Sequence, residues 1–185
     1  MNRVETALPG VFLIEPTVFS DDRGYFFESY QKEKYLSLGI ADVFVQDNHV
    51  HSVRGVVRGL HYQHPHPQAK LCRVARGEVL DVVVDIRRGS PHFGKHVSAI
   101  LSDENRLQIY VPAGFAHGYA VLSEKADFIY KCSDFYYPQF ERGVAWDDPA
   151  LGIDWQVAGP RLSERDRKNR RLSDIPADEL PPYDI

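Results

Sequence analysis

Along most of the chain, short runs of apolar residues alternate with polar ones and are broken by Gly, Pro or Asp, the signature of half-buried strands. This pattern predicts strands at 11–14, 25–29, 43–50, 56–62, 71–74, 78–86, 96–101, 107–111, 119–122 and 127–132. Asp21, Asp22, Arg23 and Gly24 mark a turn, and Pro65 and Pro67 end the 56–62 strand because proline cannot donate to a sheet ladder. One helix is predicted in the first two thirds, over 31–38, with Gly39 as its C-cap. Turn signals every 8–12 residues or so, without βαβ alternation, predict an all-β antiparallel sandwich or barrel. The last third changes character. Residues 141–154 hold both tryptophans and are expected to wrap the core as loop, 163–169 reads as helical with Ser163 as N-cap, and Pro176, Pro181 and Pro182 make the tail an irregular strap. A single domain is expected over 1–185, with its core at about 10–135 and a wrapping segment at about 136–185.

The densest chemistry lies in RGVVRGLHYQHPHPQAKLCR, residues 54–73. His61 sits between Leu60 and Tyr62, which suits a core histidine as well as a base. An imidazole titrates near neutral pH, so it can take a proton there if a carboxylate fixes its other nitrogen. Spacing offers Asp81, Asp85 or Asp166 for that carboxylate and does not choose among them. Strict alternation puts His61 and Gln63 on one face and Arg58 on the other, so Arg58 and His61 share a cavity only if Gly59 marks a bulge or kink. Lys70 reads as an exposed loop lysine or as a cation for an enolate or phosphate oxygen. His64 and His66, with His117, raise a metal reading, but two imidazoles flanking a turn proline are commonly exposed and an ordered third ligand is needed. Tyr130 is a packed strand aromatic or a proton donor across a cavity. Tyr136 and Tyr137 suit loop packing or stacking on a flat heterocycle, and Asp166, three residues after Ser163, suits a capping box.

Composition narrows the partners. The 185 residues carry a formal net charge of −4, which does not recruit nucleic acid or an anionic membrane, although a few local Arg and Lys still hold an anionic small molecule. No stretch approaches transmembrane length. The N-terminus lacks the basic-then-apolar pattern of a secretory signal. Two cysteines, Cys72 and Cys132, are too few for a disulfide scaffold or a zinc ribbon, so a cytoplasmic protein with reduced thiols is expected.

An ordered series of motifs goes further. FLIEPTVFSDDRGYFFESY (12–30), FVQDNH (44–49), VVRGLHYQ (56–63), VVVDIR (82–87), VPAGFAHGY (111–119), WDDP (146–149) and LSERDR (162–167) span the chain nearly end to end. In these the chain resembles the dTDP-4-dehydrorhamnose 3,5-epimerases, cofactor-independent enzymes of the dTDP-L-rhamnose pathway. The resemblance implies a cupin-type jelly-roll, a homodimer with residues of both subunits near the nucleotide, and no metal or cofactor. The implied substrate is dTDP-4-keto-6-deoxyglucose, whose 4-ketone acidifies carbons 3 and 5. By resemblance His61 is the base, Asp166 orients it, Lys70 stabilises the enolate oxygen and Tyr130 returns a proton at carbon 5. Arg23, Glu28, Gln46, Asp47, Asn48, Arg58, Lys70, His117 and Glu141 fall at substrate-binding positions, and Tyr136 at the tyrosine that stacks on thymine. Metal-binding cupins carry a His-x-His pair where this chain reads His61-Tyr62-Gln63, and Lys70 stands near their carboxylate position, where it repels a cation. Arg165 replaces a lysine common in relatives, and no role is carried onto it.

Overall fold

Two facing antiparallel sheets account for nearly all the regular structure. The structure, a computed structural model, describes residues 1–183. Its strands are β1 (Asn2–Glu5), β2 (Phe12–Glu15), β3 (Phe19–Asp21), β4 (Gly24–Phe26), β5 (Gln46–Val53), β6 (Val57–Gln63), β7 (Lys70–Arg76), β8 (Glu78–Asp85), β9 (His96–Ser102), β10 (Gln108–Val111), β11 (Phe115–Val121), β12 (Lys125–Cys132) and β13 (Glu141–Gly143). One sheet runs β1-β2-β10-β7-β12-β5, the other β13-β6-β11-β8-β9, and β3-β4 forms a separate hairpin. This is the expected all-β jelly-roll sandwich of the cupin type.

Three apolar layers hold it together. Between the sheets, Cys72, Val74, Ile109, Val111 and Phe128 of the first meet Val79, Val83, Phe115 and Val121 of the second. Outside the second sheet, Val57, Leu60, Tyr62, Val82 and Val84 pack under the C-terminal segment through Val144, Leu151, Trp155, Leu172 and Leu180. Outside the first, Phe12, Ile14, Leu71 and Tyr110 are covered by Tyr35 of α1 (Lys32–Ser37). Because β8 is covered on both faces, its apolar residues run together as Val79-Leu80 and Val82-Val83-Val84 rather than alternating with polar ones.

Most predicted elements are present, with differences that have local causes. Gln31 caps α1 by accepting from the Lys34 N–H at 2.7 Å, and Gly39 follows at φ +97°. The strand expected at 43–50 begins at Gln46 instead, since its pairing partner β12 ends at Cys132 opposite that residue. The 119–122 strand extends back to Phe115, paired with Asp85 of β8. The helix expected over 163–169 is only a 3-10 turn, Asp166–Lys168, because the Asp166 side chain is drawn inward instead of closing a capping box. β1, β3 and β13 went unpredicted; β1 and β13 are short strands at sheet edges, and β3 is one half of the separate hairpin.

At Gly59 the register along β11 shifts: His117 lies opposite His61 but Tyr119 lies opposite Arg58, so three steps on β6 match two on β11. Val57, Leu60 and Tyr62 therefore point outward into the C-terminal layer, while Arg58 and His61 both line the space between the sheets. Gly59 sits at φ +128°, and a Cβ there would lie 2.6 Å from the Gly118 Cα. A Cβ on Gly118 would in turn lie 2.6 Å from the Arg58 carbonyl oxygen. Gly118→Ala is therefore expected to destabilise the fold by about 2 kcal/mol through backbone overpacking. A urea midpoint equal to that of the unsubstituted protein would refute this account of the bulge.

Candidate active site

The two walls enclose a cavity of about 320 Å³. β6 and β11 contribute Arg58, His61, His117 and Tyr119 from one side, and β5, β7 and β12 contribute Gln46, Asn48, Lys70 and Tyr130 from the other. Tyr136 and Glu141 close the rim. Alternation explains the second wall: Phe128, Tyr130 and Cys132 are spaced by two on β12, as are Gln46 and Asn48 on β5, and all five line the cavity. Stacking of Tyr119 on Phe128, at 4.2 Å between centroids, joins the walls.

His61 takes Asp166 from among its three candidate carboxylates. Its Nε2 lies 2.6 Å from Asp166 Oδ1. Asp85 is instead bound by Arg87 and Ser90, and Asp81 by His117. Burial pushes the Asp166 carboxyl up, but hydrogen bonds from His61, Ser163 and the Gly59 N–H outweigh it and leave the group below the ordinary carboxylate range. An ionised carboxylate only accepts, so Nε2 of His61 donates to it; in the neutral ring the lone pair is then on Nδ1, which has no protein partner among the described residues. The carboxylate thus fixes the tautomer of the neutral ring, an arrangement that suits a base.

Opposite it stand a buried phenol and an ammonium. Burial, with Cys132 and Cys72 nearby, raises the Tyr130 hydroxyl well above its usual range, so it stays protonated at neutral pH. The Lys70 ammonium lies 6.0 Å from the Tyr130 ring centroid and has no acidic partner among the described residues. Arg58 is likewise without an acid, its Nε donating to Ser52 Oγ at 3.1 Å. Of the lining side chains, Glu141 is the one carboxylate. A chain with net negative charge thus holds a positive cavity, suited to an anionic ligand.

Not every predicted residue reaches the cavity of one chain. Arg23 lies on the exposed β3-β4 turn, paired with Asp21 at 2.5 Å. Glu28 pairs with Lys34 at 2.8 Å beside that hairpin. Asp47 falls between Gln46 and Asn48 on β5, so alternation turns it to the outer face, where it meets Lys131 at 2.8 Å. His64 and His66 also lie outside; the His66 ring packs against Tyr137 and Phe140.

Some cavity and rim residues were missed. Arg165 binds the Glu141 carboxylate from the C-terminal segment, and Tyr136 donates to the same group at 2.5 Å. Gln63 braces the rim by accepting from the Tyr137 N–H at 2.8 Å and donating to Phe135 O at 3.2 Å. Nothing in local spacing ties residues this far apart.

Comparison with known proteins agrees with this geometry. The family model described as dTDP-4-dehydrorhamnose 3,5-epimerase matches residues 5–174. The chain belongs to the dTDP-4-dehydrorhamnose 3,5-epimerase family. A family member from Pseudomonas aeruginosa is 53% identical over 176 residues, covering 94% of this chain and 97% of its own. The crystal structure of a 3,5-epimerase from Legionella pneumophila, in complex with dTDP-4-keto-L-rhamnose, superposes with a TM-score of 0.97 at 48% identity, covering 100% of this chain and 99% of that one. A 3'-monoepimerase from Streptomyces bikiniensis, in complex with dTDP-quinovose, is more distant, at 35% identity and a TM-score of 0.90 over 97% of this chain and 93% of that one.

Because the folded Asp166 carboxyl lies below its unfolded value, its contribution to stability is full above the unfolded value near 4 and fades as pH falls through the folded one. Asp166→Asn removes that contribution. Its melting temperature is expected to fall less steeply with acidification below pH 4 or so than that of the unsubstituted protein. Parallel acid limbs for the two proteins would contradict it.

Proposed function

We infer that this enzyme converts dTDP-4-dehydro-6-deoxy-D-glucose to dTDP-4-dehydro-L-rhamnose, inverting carbons 3 and 5. One observation carries the reading: in a member of this family, a carboxylate-oriented imidazole faces a protonated phenol and an ammonium with no acidic partner among the described residues, across a cavity of sugar size. His61 takes the proton from the carbon beside the 4-ketone, and the electron pair moves onto the ketone oxygen to give an enolate. Lys70 holds that oxygen, and an acid on the opposite wall returns a proton to the other face of the carbon. Tyr130 is that acid at carbon 5. No net oxidation occurs.

Arg58 serves the anionic end of the substrate, where its guanidinium fork suits a diphosphate, and His117 contacts the same substrate from the neighbouring strand. Gln46 and Asn48 supply amides from the facing wall, Glu141 the rim carboxylate, and the exposed Tyr136 ring a stacking surface for thymine. The match over residues 5–174 supports one epimerase domain over the whole chain. Two free buried thiols accord with a cytoplasmic enzyme. The β3-β4 hairpin exposes 63% of Phe19 and 68% of Phe26, which accords with a homodimer in which the partner subunit's Arg23 and Glu28 complete the nucleotide site. Changing both Phe19 and Phe26 to Asp is expected to yield a monomer in analytical ultracentrifugation, with KM for the sugar nucleotide raised; an unaltered dimer would rule out this interface.

Proton NMR of dTDP-4-keto-6-deoxyglucose with the enzyme in heavy water tests the chemistry. Deuterium is expected at carbons 3 and 5, with His61→Asn slowing both by about 10³-fold or more. Tyr130→Phe is expected to affect carbon 5 more than carbon 3. Exchange at one centre only would make the protein a monoepimerase, and exchange at neither would end the proposal.

A further inference from the structure

A second histidine–carboxylate pair shares the cavity, and its chemistry runs the other way. His117 lies directly across the ladder from His61, and its Nε2 is 2.9 Å from both oxygens of Asp81. Asp81 is fully buried, and His117 is its sole hydrogen-bonding partner among the described residues. The first pair differs: Asp166 also draws on Ser163 and the Gly59 N–H, which suit it to stand as an anion beside a neutral imidazole. An isolated buried anion without such support is strongly disfavoured, so the Asp81–His117 pair is held electrically neutral.

Two neutral forms exist. Either Asp81 is ionised and His117 is an imidazolium, or Asp81 is protonated and donates to Nε2 of a neutral ring. Both leave a proton on Nδ1. The third form, an Asp81 anion beside a neutral ring protonated on Nε2, is the one that exposes a lone pair on Nδ1, and it strands the charge. No protein group bonds Nδ1 among the described residues, and His117 lines the cavity near Arg58 and Lys70.

We infer that Asp81 is a positioning residue that keeps a proton on His117 Nδ1, so that this imidazole donates to an anionic oxygen of the substrate and does not act as a second base. The inference rests on the epimerase reading for the identity of that oxygen, which belongs either to the diphosphate or to the enolate.

Nitrogen-15 NMR of the histidine-labelled full chain, without substrate at neutral pH, reads the protonation directly, with His117→Asn assigning the signal. Nδ1 of His117 is expected to be protonated and Nδ1 of His61 bare. A bare Nδ1 on His117 overturns the inference, and this holds even if no Asp81 variant folds. Asp81→Asn lets the ring donate Nε2–H to a neutral amide, so Nδ1 is expected to lose its proton and kcat/KM to fall by about 10²-fold, as for one lost oxyanion donor. A rise in KM alone assigns the contact to the diphosphate, and a fall in kcat assigns it to the enolate. The double variant Asp81→Asn, His117→Asn is expected to be no worse than His117→Asn alone; losses that multiply, or an unimpaired Asp81→Asn, would refute the proposal. Deuterium exchange by the unsubstituted enzyme reports separately on the epimerase reading.

Discussion

The close approach of two backbones, at Gly59 on β6 and Gly118 on β11, sets what the rest of the molecule can do. Neither residue tolerates a Cβ there, because each would meet the other strand at 2.6 Å. The extra residue accommodated at that point turns Arg58 and His61 to the same side while Val57, Leu60 and Tyr62 stay in the outer apolar layer. Without it, alternation would bury a guanidinium among Val82, Trp155 and Leu172, or turn the His61 imidazole out of the cavity. One bulge thus reconciles a strand covered on both faces with a site that draws two side chains from it.

Surrounding layers then fix the electrostatics. The C-terminal segment that covers the second sheet also delivers Asp166 to His61 and Arg165 to Glu141, so packing and site assembly are one event. Two adjacent imidazoles meet carboxylates of unlike surroundings, one supported by a hydroxyl and a backbone N–H, the other alone in the interior. The same residue types thereby acquire opposite proton chemistry. Beside them Arg58, and facing them Lys70, lack acidic partners among the described residues, and Tyr130 is buried enough to stay protonated. The cavity thus sets a carboxylate-bound imidazole against a protonated phenol, with positive groups lining the space between them.

Much of this was legible along the chain. Periodicity gave most of the strands, since a side chain's face follows directly from its position in an extended segment. Helix formers over 31–38, closed by Gly39, gave α1 as well. Such local signals misplaced the start of β5 and overextended the 163–169 helix, because a strand begins where its neighbour offers pairing and a short helix yields when a side chain is needed elsewhere. The demand for a bulge at Gly59 followed from requiring Arg58 and His61 to share a cavity, and the register shift meets it.

The sequence by itself determined the sandwich, the central His, Arg and Lys stretch and, through the ordered motifs, the family. Left open were which aspartate serves which histidine, that Arg165 reaches the rim, and that Arg23, Glu28 and Asp47 lie outside the cavity of a single chain. Only the tertiary structure decided these. The partners lie on different elements, 24 residues apart for Arg165 and Glu141, 36 for His117 and Asp81, and 105 for His61 and Asp166. At such separations, sheet order and register set who meets whom, and local spacing carries no information about either.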